Sequence, residues 1–330
     1  MSIEEMTGKY QPRYIENDSR KVLAEKRKRL EEILEHCSLC PWNCGVNRKE
    51  NEQGRCRAGN EIMIAKALPH FGEEPVLTGT RGSGTIFFTH CHLRCKFCQN
   101  YQISQENLGE KSTSDELASI MLSLQEQGCH NINLVSPTHF LPHIVAALEI
   151  AIPAGLSLPL VYNSNGYERV ETLELLDGII DIYLPDAKYA DDNLAQSCSR
   201  AQGYVFNNLS SLQEMYRQVG KLRVNQEGVA ERGLIIRHLV LPRHISNTRN
   251  VLRSIRDLLG NEIHISLMGQ YFPTHQVLHD PLLNRRLTDE EYREAINLLE
   301  DMGFVNGWLQ EPDQVDRSFV PDFTKSESWN

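Results

Sequence analysis

The amino terminus, MSIEEMTGKYQPRY, lacks an apolar core and a small-residue cleavage site, so nothing in it suggests secretion, and a cytoplasmic protein is expected. The chain also lacks an uninterrupted apolar run of the roughly 20 residues that a membrane helix needs. Its most apolar stretch, residues 144–161, is broken by Glu149, Pro153, Gly155 and Pro159, and reads as a buried helix, a turn and a strand. Positive charge is in deficit: Lys+Arg number 34 against 44 Asp+Glu, a formal net charge of -10. That balance excludes general affinity for nucleic acid or anionic lipid, while leaving room for a local basic pocket. No repeat with a period of about 20 to 50 residues and sequence identity is present, so any repetition is architectural only.

What remains is ordinary globular material, 40% hydrophobic and 24% charged over 330 residues. This length suits two domains, or one barrel with an appendage. The informative departure is cysteine. Nine cysteines without an export signal read as reduced thiols, metal ligands or catalytic groups. Four cluster at Cys37, Cys40, Cys44 and Cys56 and three at Cys91, Cys95 and Cys98, while the isolated Cys129 and Cys198 read as small buried hydrophobes.

The pattern divides the chain. Residues 18–36 read as a charged, amphipathic helix, and residues 37–80 are rich in Cys, Gly, Asn and Pro, as in a small region held by metal ligands and turns. From Gly84 onward strands and helices alternate. Strands are expected at 85–88, 132–135, 160–162, 179–184, 234–240 and 264–268, with helices between them. Thr113-x-x-Glu116 and Thr288-x-x-Glu291 are capping boxes in prospect. A doubly wound sheet and an open barrel both fit this order, and both place functional residues at the carboxyl ends of the strands. The expected division is an N-terminal helix and cysteine-rich region over 1–80, a barrel over 81–306, and a tail over 307–330 docking through Phe319, Val320 and Phe323.

Cys91, Cys95 and Cys98 stand directly after the first expected strand with three and two residues between them. Three thiolates this close can ligate three irons of a cubane and leave the fourth iron open. A structural zinc site completed by His90 or His92 is the alternative, and a purely electron-carrying cluster is another. The motif, with Phe97 as the aromatic before the last cysteine, resembles the radical S-adenosylmethionine (radical SAM) superfamily. The wider segment CHLRCKFCQNYQIS is similar to relatives of pyruvate formate-lyase activating enzyme, in a branch with an N-terminal cysteine-rich extension.

The resemblance implies a partial (β/α)6 barrel of TIM type, an α/β fold. It also implies a [4Fe-4S] cluster, S-adenosylmethionine (SAM) as cofactor, and reductive cleavage of SAM to a 5′-deoxyadenosyl radical. A reduced flavodoxin or ferredoxin is implied as electron donor and a glycyl-radical protein as substrate. Radical chemistry on a small molecule or another protein is the alternative. By the same resemblance Asn163 and Asn165, and the Asp186-x-Lys188 pair, lie beside SAM. The Gly-Gly-Glu-like stretch expected after the second strand is replaced by Val135-Ser136-Pro137-Thr138-His139, a poor match in which Ser136 and Thr138 are the available contacts.

Other positions follow from residue type. Arg237, in an otherwise apolar run, needs an anionic partner and joins the cofactor-binding candidates. His238 reads as a satisfied core histidine, Gln270 and Tyr271 as mouth residues, and Arg81-Gly82-Ser83-Gly84 as a turn. Cys37, Cys40, Cys44 and Cys56 offer four thiolates and thus a closed site, for zinc or for a second iron–sulfur cluster.

Overall fold

The computed structural model describes residues 10–16, 19–310 and 321–324. Ten strands make the sheet: β1 (Ile62–His70), β2 (Ser83–Phe88), β3 (Glu110–Ser112), β4 (Ile132–Val135), β5 (Leu160–Ser164), β6 (Ile182–Pro185), β7 (Arg223–Val224), β8 (Ala230–Leu239), β9 (His264–Met268) and β10 (Gly307–Leu309). Their order is β10-β9-β8-β6-β5-β4-β2-β1-β3, with β7 paired to β8. From β2 through β10 neighbours on this path are parallel, while β1 pairs antiparallel with β2 and β3 antiparallel with β1. The path has two ends, so the fold is an α/β partial barrel that does not close.

Side chains alternate across the strands as a pleat requires. Leu160, Tyr162, Tyr183, Ile236 and Ile265 point to the helical layer, where they join the main core. Val161, Ile182, Leu184 and Ile235 pack on the opposite, inner face. Leu77, from the short helix Pro75–Thr78 between β1 and β2, is fully buried in that inner cluster. The covering helices start where the sequence provides caps: Thr113 and Thr288 each accept a backbone N–H while Glu116 and Glu291 reach back, completing two capping boxes.

Two expectations need correction, and one helix adds to the sequence reading. β1 falls within the region assigned to residues 1–80, yet it pairs with β2 over six positions and belongs to the sheet. The alternation of buried Ile62 and Ile64 carried that signal, and Pro69 near the strand's end obscured it. The tail assigned from residue 307 opens instead with β10, which adds a further parallel strand beside β9. The helix Asp192–Ser199, capped by the Asp191 side chain, had no counterpart in the sequence reading. Phe323 packs edge-on against Phe87 at 5.5 Å, whereas Phe319 and Val320 lie outside the described residues.

Candidate functional site

The three-cysteine loop begins where β2 ends, at the carboxyl edge of the parallel strands. Backbone bonds from Thr89 N to Met63 O (3.0 Å) and His90 N to Ile103 O (2.8 Å) fix its entry. His90 and Arg94 adopt left-handed conformations, φ 76° and 57°, that non-glycine residues avoid unless held. Each thiol meets one polar side chain from a different element. Asn165 Nδ2 approaches Cys91 Sγ at 3.5 Å, Ser199 Oγ donates to Cys95 Sγ at 3.0 Å, and the hydroxyl of Ser104 lies 3.3 Å from Cys98 Sγ.

Burial pushes the Cys98 thiol up to about 12, helped by the neighbouring Cys95. Burial also raises Cys95, against the opposing pull of Lys188 and the Ser199 hydrogen bond. Thiols so placed ionise only when a cation replaces the proton, which is the chemistry of a metal ligand. Among the described residues no three His, Cys, Asp or Glu side chains are gathered to hold a single metal ion. A cubane, whose thiolates bind different irons, does not require them to converge on one point.

Asn165-Gly166 closes β5. Asn165 Oδ1 accepts from Tyr167 N at 2.9 Å, an Asx turn that leaves its amide free to reach Cys91. Gly166 has φ 71°, and a Cβ there would lie 1.9 Å from the Asp186 carbonyl oxygen, so only glycine lets β5 and the loop after β6 approach. On that second loop Lys188 Nζ pairs with Asp186 Oδ2 at 2.5 Å. Burial alone would lower the Lys188 pKa, but Asp186 and the thiols of Cys95 and Cys98 raise it above the ordinary range. The ammonium is therefore charged and close to the cysteine loop. Tyr204 ties the two loops together, accepting from Lys188 N at 3.0 Å with its hydroxyl 3.3 Å from Asn165 O. Phe97 packs on Tyr271, ring centroids 6.0 Å apart.

Asn163 points to the inner face, where its Oδ1 receives a long contact of 3.5 Å from Arg237 Nη1. Arg237 has its anionic partners within the chain: Glu74 accepts from Nε at 2.7 Å and from Nη2 at 2.6 Å, and Glu73 also accepts from Nη2. Its charge is thus matched by two carboxylates, which fasten the segment between β1 and β2 to the wall at β8. This places Arg237 in a different role from the cofactor-binding one expected of it. Thr138 gives its hydroxyl to Glu168 at 2.8 Å, and Ser136 N bonds Asn163 O at 2.8 Å, so both are engaged in holding the loop after β4. His238 bonds Ala187 O at 2.6 Å and Thr248 at 3.0 Å, a satisfied core histidine.

The four-cysteine segment is built from turns. Cys37 N bonds Val46 O, Gly45 N bonds Cys37 O, and Asn43 N bonds Cys40 O, at 2.9 to 3.0 Å. Cys37 and Cys56 are buried, Cys40 half-buried and Cys44 exposed. Burial and Cys56 raise the Cys40 pKa, and burial raises that of Cys56 against the pull of Arg48, which is itself 1% exposed. The segment touches the barrel loop directly: Trp42 Nε1 donates to His92 O at 2.8 Å, and Trp42 packs edge-on against Tyr167 at 6.0 Å. Ser104, Ser199, Tyr204 and Trp42 escaped the sequence reading, because a hydroxyl or an indole has no spacing signature until the chain has folded.

The family model for the radical SAM superfamily matches residues 85–205, a span that begins on β2 and takes in the three-cysteine loop. The uncharacterized protein MJ0674 of Methanocaldococcus jannaschii is 32% identical over 278 residues, which covers 81% of this chain and 75% of that protein. Among solved structures, Streptococcus suis SuiB shares 9% identity at a TM-score of 0.46 over 68% of this chain, which spans 47% of SuiB's length. Methylornithine synthase (PylB) shares 12% identity at 0.42, over 91% of this chain and 76% of its own. The chain belongs to the radical SAM superfamily. Its cofactors are accordingly a [4Fe-4S] cluster and SAM, and its chemistry needs a one-electron donor such as flavodoxin or ferredoxin. Among the described residues no helix is long and apolar enough to cross a membrane.

Proposed function

We propose that the chain cleaves SAM reductively at a [4Fe-4S] cluster held by Cys91, Cys95 and Cys98. The supporting observation is the set of three buried thiols at the carboxyl edge of the parallel strands, each beside its own polar group, with a buried ammonium at hand. When bound, the cluster supplies one electron that splits the sulfonium of SAM into methionine and a 5′-deoxyadenosyl radical, which abstracts hydrogen from a substrate. The remaining work is the protein's. Lys188, oriented by Asp186, offers a cation to the carboxylate of SAM, and Asn163 and Asn165 offer amide contacts. Arg237 serves this site by securing the inner wall through Glu73 and Glu74.

Within this reading the specific activity proposed is activation of a glycyl-radical protein, supported by the likeness of CHLRCKFCQNYQIS to the pyruvate formate-lyase activating enzymes. Cys37, Cys40, Cys44 and Cys56 are proposed to hold a second metal centre, zinc or iron–sulfur, in a region ending before β1. Reconstituted protein reduced without oxygen and mixed with SAM should release 5′-deoxyadenosine. A reduced, iron-replete sample that leaves SAM intact would refute the assignment.

A further inference from the structure

The body of this chain is acidic, at -10 overall, yet four arginines gather beside the cysteine loops. Arg55 and Arg57 flank Cys56, Arg94 immediately precedes Cys95, and Arg200 follows Ser199, whose hydroxyl bonds Cys95 Sγ. Arg55 stacks on Trp42, whose indole donates to His92 O two residues before Arg94, and Arg200 adjoins the Ser199 that bonds Cys95, so all four positions border the same two cysteine loops. Among the described residues none of them is paired with a carboxylate, and the buried Nε of Arg55 has no hydrogen-bond partner.

The backbone keeps these side chains in place at some cost. Arg57, Arg94 and Arg200 have φ of 66°, 57° and 55°, a left-handed conformation unfavourable for a residue with a Cβ. Arg57 and Arg200 are exposed, and Arg55 and Arg94 half-buried. Arg55 also lies over the Trp42 ring at 4.6 Å, and Trp42 donates to His92 O inside the three-cysteine loop. Trp42 thus joins the Arg55 end of the patch to the backbone of the three-cysteine loop.

We infer that Arg55, Arg57, Arg94 and Arg200 form the docking surface for an acidic electron-carrier protein, a flavin or iron–sulfur carrier that hands one electron to the cluster. The inference rests on the proposed SAM-cleaving function. The step balances simply: the carrier is oxidised by one electron and the cluster reduced by one, with no bond made or broken. The charge pattern gives orientation as well as attraction. An acidic carrier is repelled by the rest of an acidic body and drawn to the face where arginines border the cysteine loops. An acidic polypeptide substrate is the competing occupant, and the test separates the two.

The test is the rate at which reconstituted protein is reduced, read as bleaching of its visible absorbance in anaerobic stopped flow. The reductants are an acidic flavodoxin held as its hydroquinone and, separately, photoreduced deazaflavin, a small molecule with no docking requirement. Asn tolerates left-handed backbone, so an Arg57→Asn/Arg200→Asn double variant removes charge without adding strain. It should be reduced by flavodoxin about tenfold more slowly at low ionic strength, with the gap closing as salt rises. Its deazaflavin rate and iron content should match the parent's.

Equal flavodoxin rates in parent and variant at all salt concentrations would overturn the inference, as would an equal slowing with both reductants. So would a variant reduced at the parental rate yet slower to use SAM with a glycyl-radical protein, which would assign the patch to substrate. Failure of the underlying function is separately visible: deazaflavin-reduced parent would bleach normally and still make no 5′-deoxyadenosine.

Discussion

The two cysteine groups lie against each other and are built on opposite plans. Around Cys91, Cys95 and Cys98 the loop is carried by a large sheet, and each thiol has a side-chain contact from another element: Asn165 after β5, Ser199 after β6, and Ser104 further along the chain, with the backbone of Asn100 adding to Cys98. Around Cys37, Cys40, Cys44 and Cys56 the contacts are local backbone ones, such as Arg55 N to Cys44 Sγ at 3.3 Å. Gly54 packs so tightly there that a Cβ would lie 2.8 Å from that sulfur. The first group is a site placed on a scaffold that would stand without it. The second is held by turns within its own segment.

The strongest way to break this contrast is to remove one thiol from each group. Cys95→Ala should reduce 5′-deoxyadenosine formation to background while thermal unfolding stays close to that of the parent, since the barrel core does not depend on the cluster. A variant that retained the parental rate after anaerobic reconstitution would refute the ligand assignment. Cys40→Ala should do the reverse, making residues 37–60 sensitive to protease while the barrel cluster still forms. An unchanged digestion pattern, with metal analysis finding only the iron of one cluster, would remove the second centre.

A smaller effect is expected at the ion pair. Lys188→Ala should weaken SAM binding about tenfold, near 1.4 kcal/mol, without altering iron content. Unchanged affinity by equilibrium binding would return Asp186 and Lys188 to a purely structural pairing.

Another effect sharpens the contact between the regions. Glu168 is buried beneath the loops, near Cys40, and accepts from Thr138. Burial raises its pKa from 4.5 to about 8. A carboxyl raised on folding contributes stability that is fully present below its unfolded pKa of 4.5 and lost as pH rises through the folded value near 8. Glu168→Gln, always neutral, should flatten that decline, and the variant should be the more stable of the two at pH 8. Parallel stability curves from pH 5 to 8 for parent and variant would show that Glu168 titrates normally.

Much of the barrel could be read from residue order. β4 and β9 fall where their apolar runs placed them, and both capping boxes formed, because these features depend on neighbours a few residues away. β1 was harder, since its pairing partner β2 lies across a connection containing its own helix, and Pro69 masks its alternation. Arg237 shows the same limit more sharply. That a charge within LIIRHLVLP needs a partner follows from burial cost alone, but that the partners are Glu73 and Glu74 depends on a fold bringing together residues more than 160 positions apart.

Spacing alone marked Cys91, Cys95 and Cys98 as a cluster motif, because a ligand loop must be short in sequence to be compact in space. Which groups surround those thiols could come only from the folded chain. Asn165, Ser199 and Lys188 stand 74, 104 and, through the neighbouring loop, a comparable distance along the sequence from the first two cysteines. They meet only because parallel strands bring every carboxyl-terminal loop to one edge of the sheet.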